Sequence, residues 1–244
     1  MTRLVFWHGW GMSPAVWTNL IGELKNGLPG DTLYEAMPMP GYAGTALPDG
    51  DPVSSWVDVM MENVSGPVVL CGWSMGAIMA LSAAHRYPKR ISGLVLFGAT
   101  PCFAERPDWN RSMPHVSAEP FRKGIQTDPG TTLRRFIMLF NKPDRQARAI
   151  ARQLSSLDIP PVPVLEAGLD FLAAADFQPI VPEIRQKTLL IHGADDPLMP
   201  FEAAYWLAQA LPDARLHVLP GVAHAPFLSD PRQCSQLIRK FLDD

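Results

Sequence analysis

The chain has little that would tie it to a membrane, a disulfide framework or a nucleic acid. No apolar run approaches the ~20 residues that span a bilayer. The amino terminus, Met1 to Gly9, turns polar and Gly-containing after a few apolar residues, without the apolar region and cleavage site of a secretory signal. Cysteine is scarce: Cys71, Cys102 and Cys234 are odd in number and far apart, which gives neither disulfide pairing nor metal-ligand spacing. Charge is scarce as well. Only 18% of residues are charged and the formal net charge is -3, so no basic excess marks a nucleic-acid binder. Internal repeats and low-complexity segments are absent. We expect a cytoplasmic, monomeric protein without metal or cofactor, and 244 residues suit one domain with a large core.

Proline, by contrast, is abundant. The 25 prolines are about twice ordinary usage, and many lie between Pro101 and Pro182, where they punctuate short helices and loops.

Elsewhere the pattern alternates between strand and helix. Leu4 to Trp7 is an apolar run ending at His8-Gly9-Trp10-Gly11, as a central parallel strand ends at a Gly-rich loop. Helical spacing of Trp17, Leu20, Ile21 and Leu24 predicts a helix over 14–24. A short strand over 32–36 leads into the Pro/Gly loop Met37 to Gly44. A helix over 53–64, a strand over 68–72, a helix over 75–87 and a strand over 93–97 follow. From Thr100 to about Pro182 the alternation gives way to Pro-interrupted amphipathic helix. It resumes with strands over 188–192 and 215–219 and helices over 201–211 and 231–242. Such alternation implies an α/β fold: a mostly parallel central sheet, helices on both faces, and chemistry at the carboxyl ends of the strands. Residues 1–99 and 183–244 then form the core, and 100–182 a helical lid inserted in it.

One stretch organises the rest. Gly72-Trp73-Ser74-Met75-Gly76 lies between a predicted strand and a predicted helix, the context of a nucleophile elbow. A serine hydroxyl needs a base to take its proton, and the base needs a third group to orient it. Later loops supply both. Asp195-Asp196 follows the 188–192 strand and His224 the 215–219 strand, giving the order Ser, Asp, His of α/β-hydrolases. Spacing alone does not choose between Asp195 and Asp196. The Met75 N–H, at a helix start, and the Trp10 N–H, on the early Gly-rich loop, are the candidate oxyanion donors. His85, His115, His192 and His217 read as structural.

The lid is basic. Between Arg122 and Arg152 eight basic residues face two acids. Such a run is either a solvated helix face or a dock for an acidic partner beside the active-site mouth.

The motifs His8-Gly-Trp-Gly11, Gly72-Trp-Ser-Met-Gly76, Pro101-Cys-Phe103 and His224-Ala-Pro-Phe227 together resemble those of the biotin-synthesis carboxylesterases that hydrolyse pimeloyl-[acyl-carrier protein] methyl ester. The resemblance spans nearly the whole chain. It implies an α/β-hydrolase fold with Ser74 as nucleophile, Asp196 as acid, His224 as base, and backbone oxyanion donors at Trp10 and Met75. By position it assigns acyl-channel contact to Phe136, Ile137, Met138, Leu139 and Phe140, beside Trp10, Ser74, Met75 and His224. Docking of the acyl-carrier protein falls to Arg135, Arg145 and Arg148. Relatives open with an extra strand or two before the HGWG strand, so the resemblance also implies a sheet trimmed at one edge. A short-chain carboxylesterase or thioesterase without a carrier is the first alternative. A non-catalytic ligand-binding protein on a hydrolase fold is the second.

Overall fold

The predicted strands enter one sheet. A computed structural model of the chain describes residues 2–111 and 118–244; His115 lies outside them. The strands are β1 (Arg3–Trp7), β2 (Leu33–Met37), β3 (Val68–Trp73), β4 (Ile91–Phe97), β5 (Lys187–Gly193) and β6 (Ala214–Leu219), in the spatial order β2-β1-β3-β4-β5-β6. The sequence predicted a mostly parallel sheet, and every neighbouring pair is parallel. Parallel strands are buried on both faces, which is why Leu4–Trp7 and all of β3 are apolar or Gly and fully inside. The edge strands β2 and β6 mix exposed and buried positions.

Helices cover both faces. The predicted helix over 14–24 begins as a 3-10 turn (Pro14–Trp17) and continues as α1 (Thr18–Lys25). Next come α2 (Pro52–Glu62) and α3 (Met75–Arg86). Between β4 and β5 four helices are inserted: α4 (Ala118–Thr127), α5 (Pro129–Asn141), α6 (Ala147–Leu154) and α7 (Val162–Ala174). After β5 come α8 (Phe201–Ala210), the short α9 (Pro226–Ser229), which the sequence did not predict, and α10 (Pro231–Asp243). Helix α1 packs with α10 on one face, while α2 and α3 lie together on the other. The insertion leaves and rejoins the core at a narrow neck. There Cys102 pairs with Asp176 in an antiparallel bridge, and the Phe177 N–H donates to the Pro101 carbonyl at 2.9 Å.

Much of the proline excess is helix punctuation. Helices α2, α5 and α10 each begin with Asp-Pro, and Asp51, Asp128 and Asp230 accept first-turn N–H groups. Proline has no N–H to leave unsatisfied at the first helical position, and its φ suits the turn. Each Asp cap contributes about 1 kcal/mol.

Under the carboxyl ends of the central strands lies an aromatic cluster. Trp17 packs against Phe6 and Phe97, and Phe227 touches Trp17, Trp73 and Phe97. Phe227 belongs to the segment after β6 that carries His224, so this packing ties that segment to the middle of the sheet.

Candidate active site

The turn from β3 into α3 is tight enough to dictate its residues. A Cβ on Gly72 would lie 2.5 Å from the Gly76 carbonyl oxygen, and one on Gly76 would lie 2.4 Å from that of Trp7. Both obstacles are backbone, so neither position accepts a side chain. Ser74 between them has φ 56° and ψ -120°. A non-Gly residue held there costs on the order of 1–3 kcal/mol, and such strain clusters at functional sites. The turn is locked by the Ser74 N–H to the Phe97 carbonyl at 3.0 Å, while the Ser74 carbonyl accepts from Ala77 and Ile78. Met75 is the first residue of α3, so its N–H is one of the four that an α-helix leaves without an intrahelical acceptor.

The loop after β1 is pinned from below by a histidine that sequence reasoning passed over. His8 is completely buried, its Nδ1 contacts the Gly9 carbonyl at 2.9 Å and its Nε2 accepts from the Met39 N–H at 3.2 Å. Burial pushes its imidazole down to about 4, against a smaller opposing effect of the Gly9 contact. Tyr42 packs edge-on against that ring and its hydroxyl accepts from the Gly11 N–H at 3.0 Å. The Trp10 indole N–H donates to the Leu165 carbonyl on α7 at 2.8 Å. A buried histidine on an apolar strand has no sequence signal that distinguishes a scaffold role from a chemical one.

At the far end of β5 the two acids lie in different environments. The Asp196 side chain is fully buried and its Oδ2 lies 2.8 Å from His224 Nδ1. Its Oδ1 accepts from the N–H groups of Leu198 and Met199 at 2.8 and 2.9 Å. Burial pushes the Asp196 carboxyl up, but the charges and hydrogen bonds of its partners, His224 foremost, outweigh that and hold it below the usual carboxylate range. Asp195 is exposed, and its N–H is used by the Val222 carbonyl at 3.0 Å. With Nδ1–H donating to Asp196, His224 presents Nε2 as a lone-pair acceptor. That atom is buried and without a hydrogen-bond partner among the described residues. His192 sits on the other side of the same carboxylate, 3.7 Å from Oδ2, with its Nε2 2.8 Å from the Met199 carbonyl. Burial lowers its pKa, and it acts as a brace for the Asp196 loop.

Ser74 and Trp10 line a cavity of about 180 Å³ whose walls are otherwise mostly apolar: Phe103, Phe121, Phe136, Leu169 and Leu172 among them, with Glu105 the charged member. The five consecutive residues assigned by position to an acyl channel do not share this wall. Phe136 lines it. Ile137 is buried behind, beside a separate space of about 60 Å³. Phe140 is fully buried and packs edge-on against Trp73, Phe136 and His224. Met138 is 66% and Leu139 38% exposed. The reason is helical geometry, since consecutive residues of α5 turn by about 100° each and cannot face one cavity. The wall is completed instead by α7, whose Leu169 and Leu172 sit three positions apart.

The basic residues of the insertion divide as well. Arg135 and Arg148 are exposed with no ion pair among the described residues. Arg145 is engaged: its guanidinium contacts Asp230 at 2.7 Å and its N–H donates to the Gly221 carbonyl at 3.0 Å. Arg122 pairs with Asp170 on α7.

A serine on a strained turn and a buried His–Asp pair on the same sheet invite comparison with known proteins. A solved esterase from Exiguobacterium antarcticum superposes with a TM-score of 0.85 at 20% identity, over 100% of this chain and 92% of that one. A hydrolase from Oleispira antarctica gives a TM-score of 0.83 at 17% identity, over 100% of this chain and 92% of that one. Sequence relatives are nearer. A pimeloyl-[acyl-carrier protein] methyl ester esterase of Aromatoleum aromaticum is 38% identical over 96% of each chain. One of Nitrosomonas europaea is 35% identical over 94% of this chain and 91% of its own. Residues 4–237 match the alpha/beta hydrolase family, and with the parallel sheet and helical insertion in the expected places, the chain belongs to that family.

Proposed function

We propose that the protein is a serine carboxylesterase that hydrolyses the methyl ester of a pimeloyl chain carried on acyl-carrier protein, a step of biotin synthesis. The observation that carries the reading is the buried 2.8 Å contact between Asp196 and His224 in a chain 38% identical, over 96% of its length, to an esterase of that name. His224 Nε2 takes the Ser74 proton as the hydroxyl attacks the ester carbonyl, and Asp196 holds the imidazole in the required tautomer. The Ser74–His224 contact closes when substrate binds, as catalytic hydrogen bonds commonly tighten in the Michaelis complex. The N–H groups of Met75 and Trp10 stabilise the oxyanion. His224 returns the proton to methanol as it leaves. It then activates the water that cleaves the acyl-enzyme, and the released acid carries the carboxylate.

The mostly apolar cavity suits a run of methylenes, each worth about 0.8 kcal/mol on burial. Outside it, Arg135 and Arg148, exposed and unpaired among the described residues, offer charge to an acidic carrier. In this reading the enzyme is a cytoplasmic monomer; among the described residues no helix is long and apolar enough to cross a membrane. A general short-chain esterase or thioesterase is the second reading, favoured by the engagement of Arg145 with Asp230, which removes one of the three docking arginines.

The deciding experiment compares turnover of pimeloyl-carrier methyl ester with that of a small p-nitrophenyl ester as salt is raised. Exposed charge pairs are screened over about 10 Å at 0.1 M salt. Carrier-linked turnover should fall steeply with salt while small-ester turnover holds, and Ser74→Ala should abolish both. Equal salt dependence removes the docking half of the reading. Failure of Ser74 to react with a fluorophosphonate removes the enzyme half and leaves a binding protein.

A further inference from the structure

Asp144 lies between α5 and α6 and is only 6% exposed. A buried carboxylate is costly unless its lone pairs are met, and this one has three donors. Its Oδ1 accepts from the Gln146 N–H at 2.7 Å and the Ser229 hydroxyl at 2.9 Å, and its Oδ2 accepts from the Ala223 N–H at 2.8 Å. Ala223 immediately precedes His224, and Ser229 ends the α9 turn that follows it. One carboxylate of the insertion therefore spans both ends of the segment that carries the histidine.

The neighbouring residue strengthens the same seam, since the Arg145 N–H donates to the Gly221 carbonyl at 3.0 Å and its guanidinium meets Asp230 at 2.7 Å. From the opposite side the segment is pressed onto the end of β5. The Asp195 N–H donates to the Val222 carbonyl at 3.0 Å, and a Cβ on Gly193 would lie 2.0 Å from the Ala223 carbonyl oxygen. The Trp73 indole N–H holds the His224 carbonyl at 2.8 Å. The backbone at 222–224 is thus clamped between the core and the insertion, and the insertion's hold on Ala223 is the Asp144 carboxylate.

We propose that Asp144 is a positioning residue for His224, through which the helical insertion sets where the imidazole stands relative to Ser74. The inference rests on the reading of His224 as the general base. A carboxylate suits the task because it accepts all three donors with charge-assisted bonds, about twice as strong as neutral ones. Asp144 touches no reacting atom. Its effect passes through the Ala223 N–H to the next residue, and a shift of about 1 Å between reacting groups costs on the order of 100-fold in rate.

The test is steady-state hydrolysis of a small p-nitrophenyl ester, at a temperature where circular dichroism shows each protein folded. Asp144→Ala should lower kcat by about 30- to 100-fold with KM within about twofold. Asp144→Asn, whose amide oxygen can still accept from Ala223 while its NH2 then faces the Gln146 N–H, should recover only part of that loss. Ser229→Ala disturbs the same buried cluster but spares the Ala223 bond, so its kcat should stay within about twofold of native. A kcat that survives Asp144→Ala, or that follows melting temperature across all three variants, overturns the proposal. Should Asp144→Ala not fold, amide exchange of the native protein decides: slow exchange at Ala223 supports the clamp and fast exchange refutes it. Ser74→Ala runs alongside. If it keeps activity, the esterase reading itself has failed; if it is dead while Asp144→Ala is normal, only this inference has.

Discussion

Phe227 lies stacked on Trp17, with ring centroids 4.2 Å apart and planes 26° from parallel, and the same ring also meets Trp73 and Phe97 edge-on. His224 is three residues upstream. The anchor of the His224 segment is therefore an aromatic core contact rather than a surface loop, and under the proposed function stability and activity are coupled at this position.

Phe227→Ala should cost about 3–5 kcal/mol, the usual range for emptying a fully buried aromatic site. In a chain of this size that corresponds to a fall in Tm of roughly 10 °C. Calorimetry measures it. Phe227→Leu, which keeps much of the volume, should lose far less. A fall of under about 1 kcal/mol for Phe227→Ala would mean that the cluster does not hold the segment.

The two adjacent acids should separate cleanly. Asp196→Asn presents the wrong hydrogen-bonding pattern to His224 Nδ1 and should lower kcat by about 10³- to 10⁴-fold with the fold intact. Asp195→Asn should stay within about twofold, because Asp195 is exposed and only its backbone is used. Small-ester kinetics on both variants is the check, and comparable losses would contradict the assignment.

His8 should make the fold acid-sensitive. Its folded pKa, about 4, lies below the ordinary ~6.5, so between these values the unfolded chain binds a proton that the folded chain refuses. Stability is full above about pH 6.5 and falls as pH drops toward 4, by about 2 kcal/mol at pH 5. Urea unfolding at pH 7 and pH 5 should show a smaller difference for His8→Asn than for the native protein. Some slope will remain, because burial also lowers the pKa values of His192 and His217. An unchanged slope in His8→Asn would refute the assignment.

Position around α5 should decide which residues read the acyl chain. Phe136→Ala enlarges the cavity beside Ser74 and should raise KM for a six-carbon acyl ester about tenfold, equivalent to about 1.4 kcal/mol of lost contact. Met138→Ser should leave the small-ester chain-length profile unchanged, since Met138 is 66% exposed. Chain-length profiles of p-nitrophenyl esters test both, and an altered profile for Met138→Ser would place the acyl chain elsewhere.

Much of this molecule is legible along the chain because the physics is local. Gly72-Trp-Ser-Met-Gly76 needs only its own backbone and the strand and helix beside it. The apolar runs of β1, β3, β4 and β5 announce strands buried on both faces. Asp51-Pro52, Asp128-Pro129 and Asp230-Pro231 start helices through bonds within one turn, whereas Asp196-Pro197 lies in a loop. The order Ser74, acid, His224 follows from strand ends that the alternation itself locates.

What the sequence left open depends on residues far apart meeting in space. Asp196 and Asp195 are equivalent as neighbours on a loop, and only the approach of His224, 28 positions away, separates them. The run Phe136 to Phe140 reads as one apolar string until α5 docks and turns each residue to a different side. Arg145 counts as one more surface charge until Asp230 arrives, 85 positions on. Asp144, an acid in a basic stretch, meets Ala223 and Ser229, on either side of His224, only once the insertion folds back over that segment. Backbone sterics and hydrophobic period are properties of a few consecutive residues, so the sequence alone determined the elbow, the strands and the fold. Hydrogen-bond partnership and burial belong to pairs joined by the tertiary fold, and there the structure alone decided which acid meets His224, which residues line the cavity beside Ser74 and which arginines stay unpaired among the described residues.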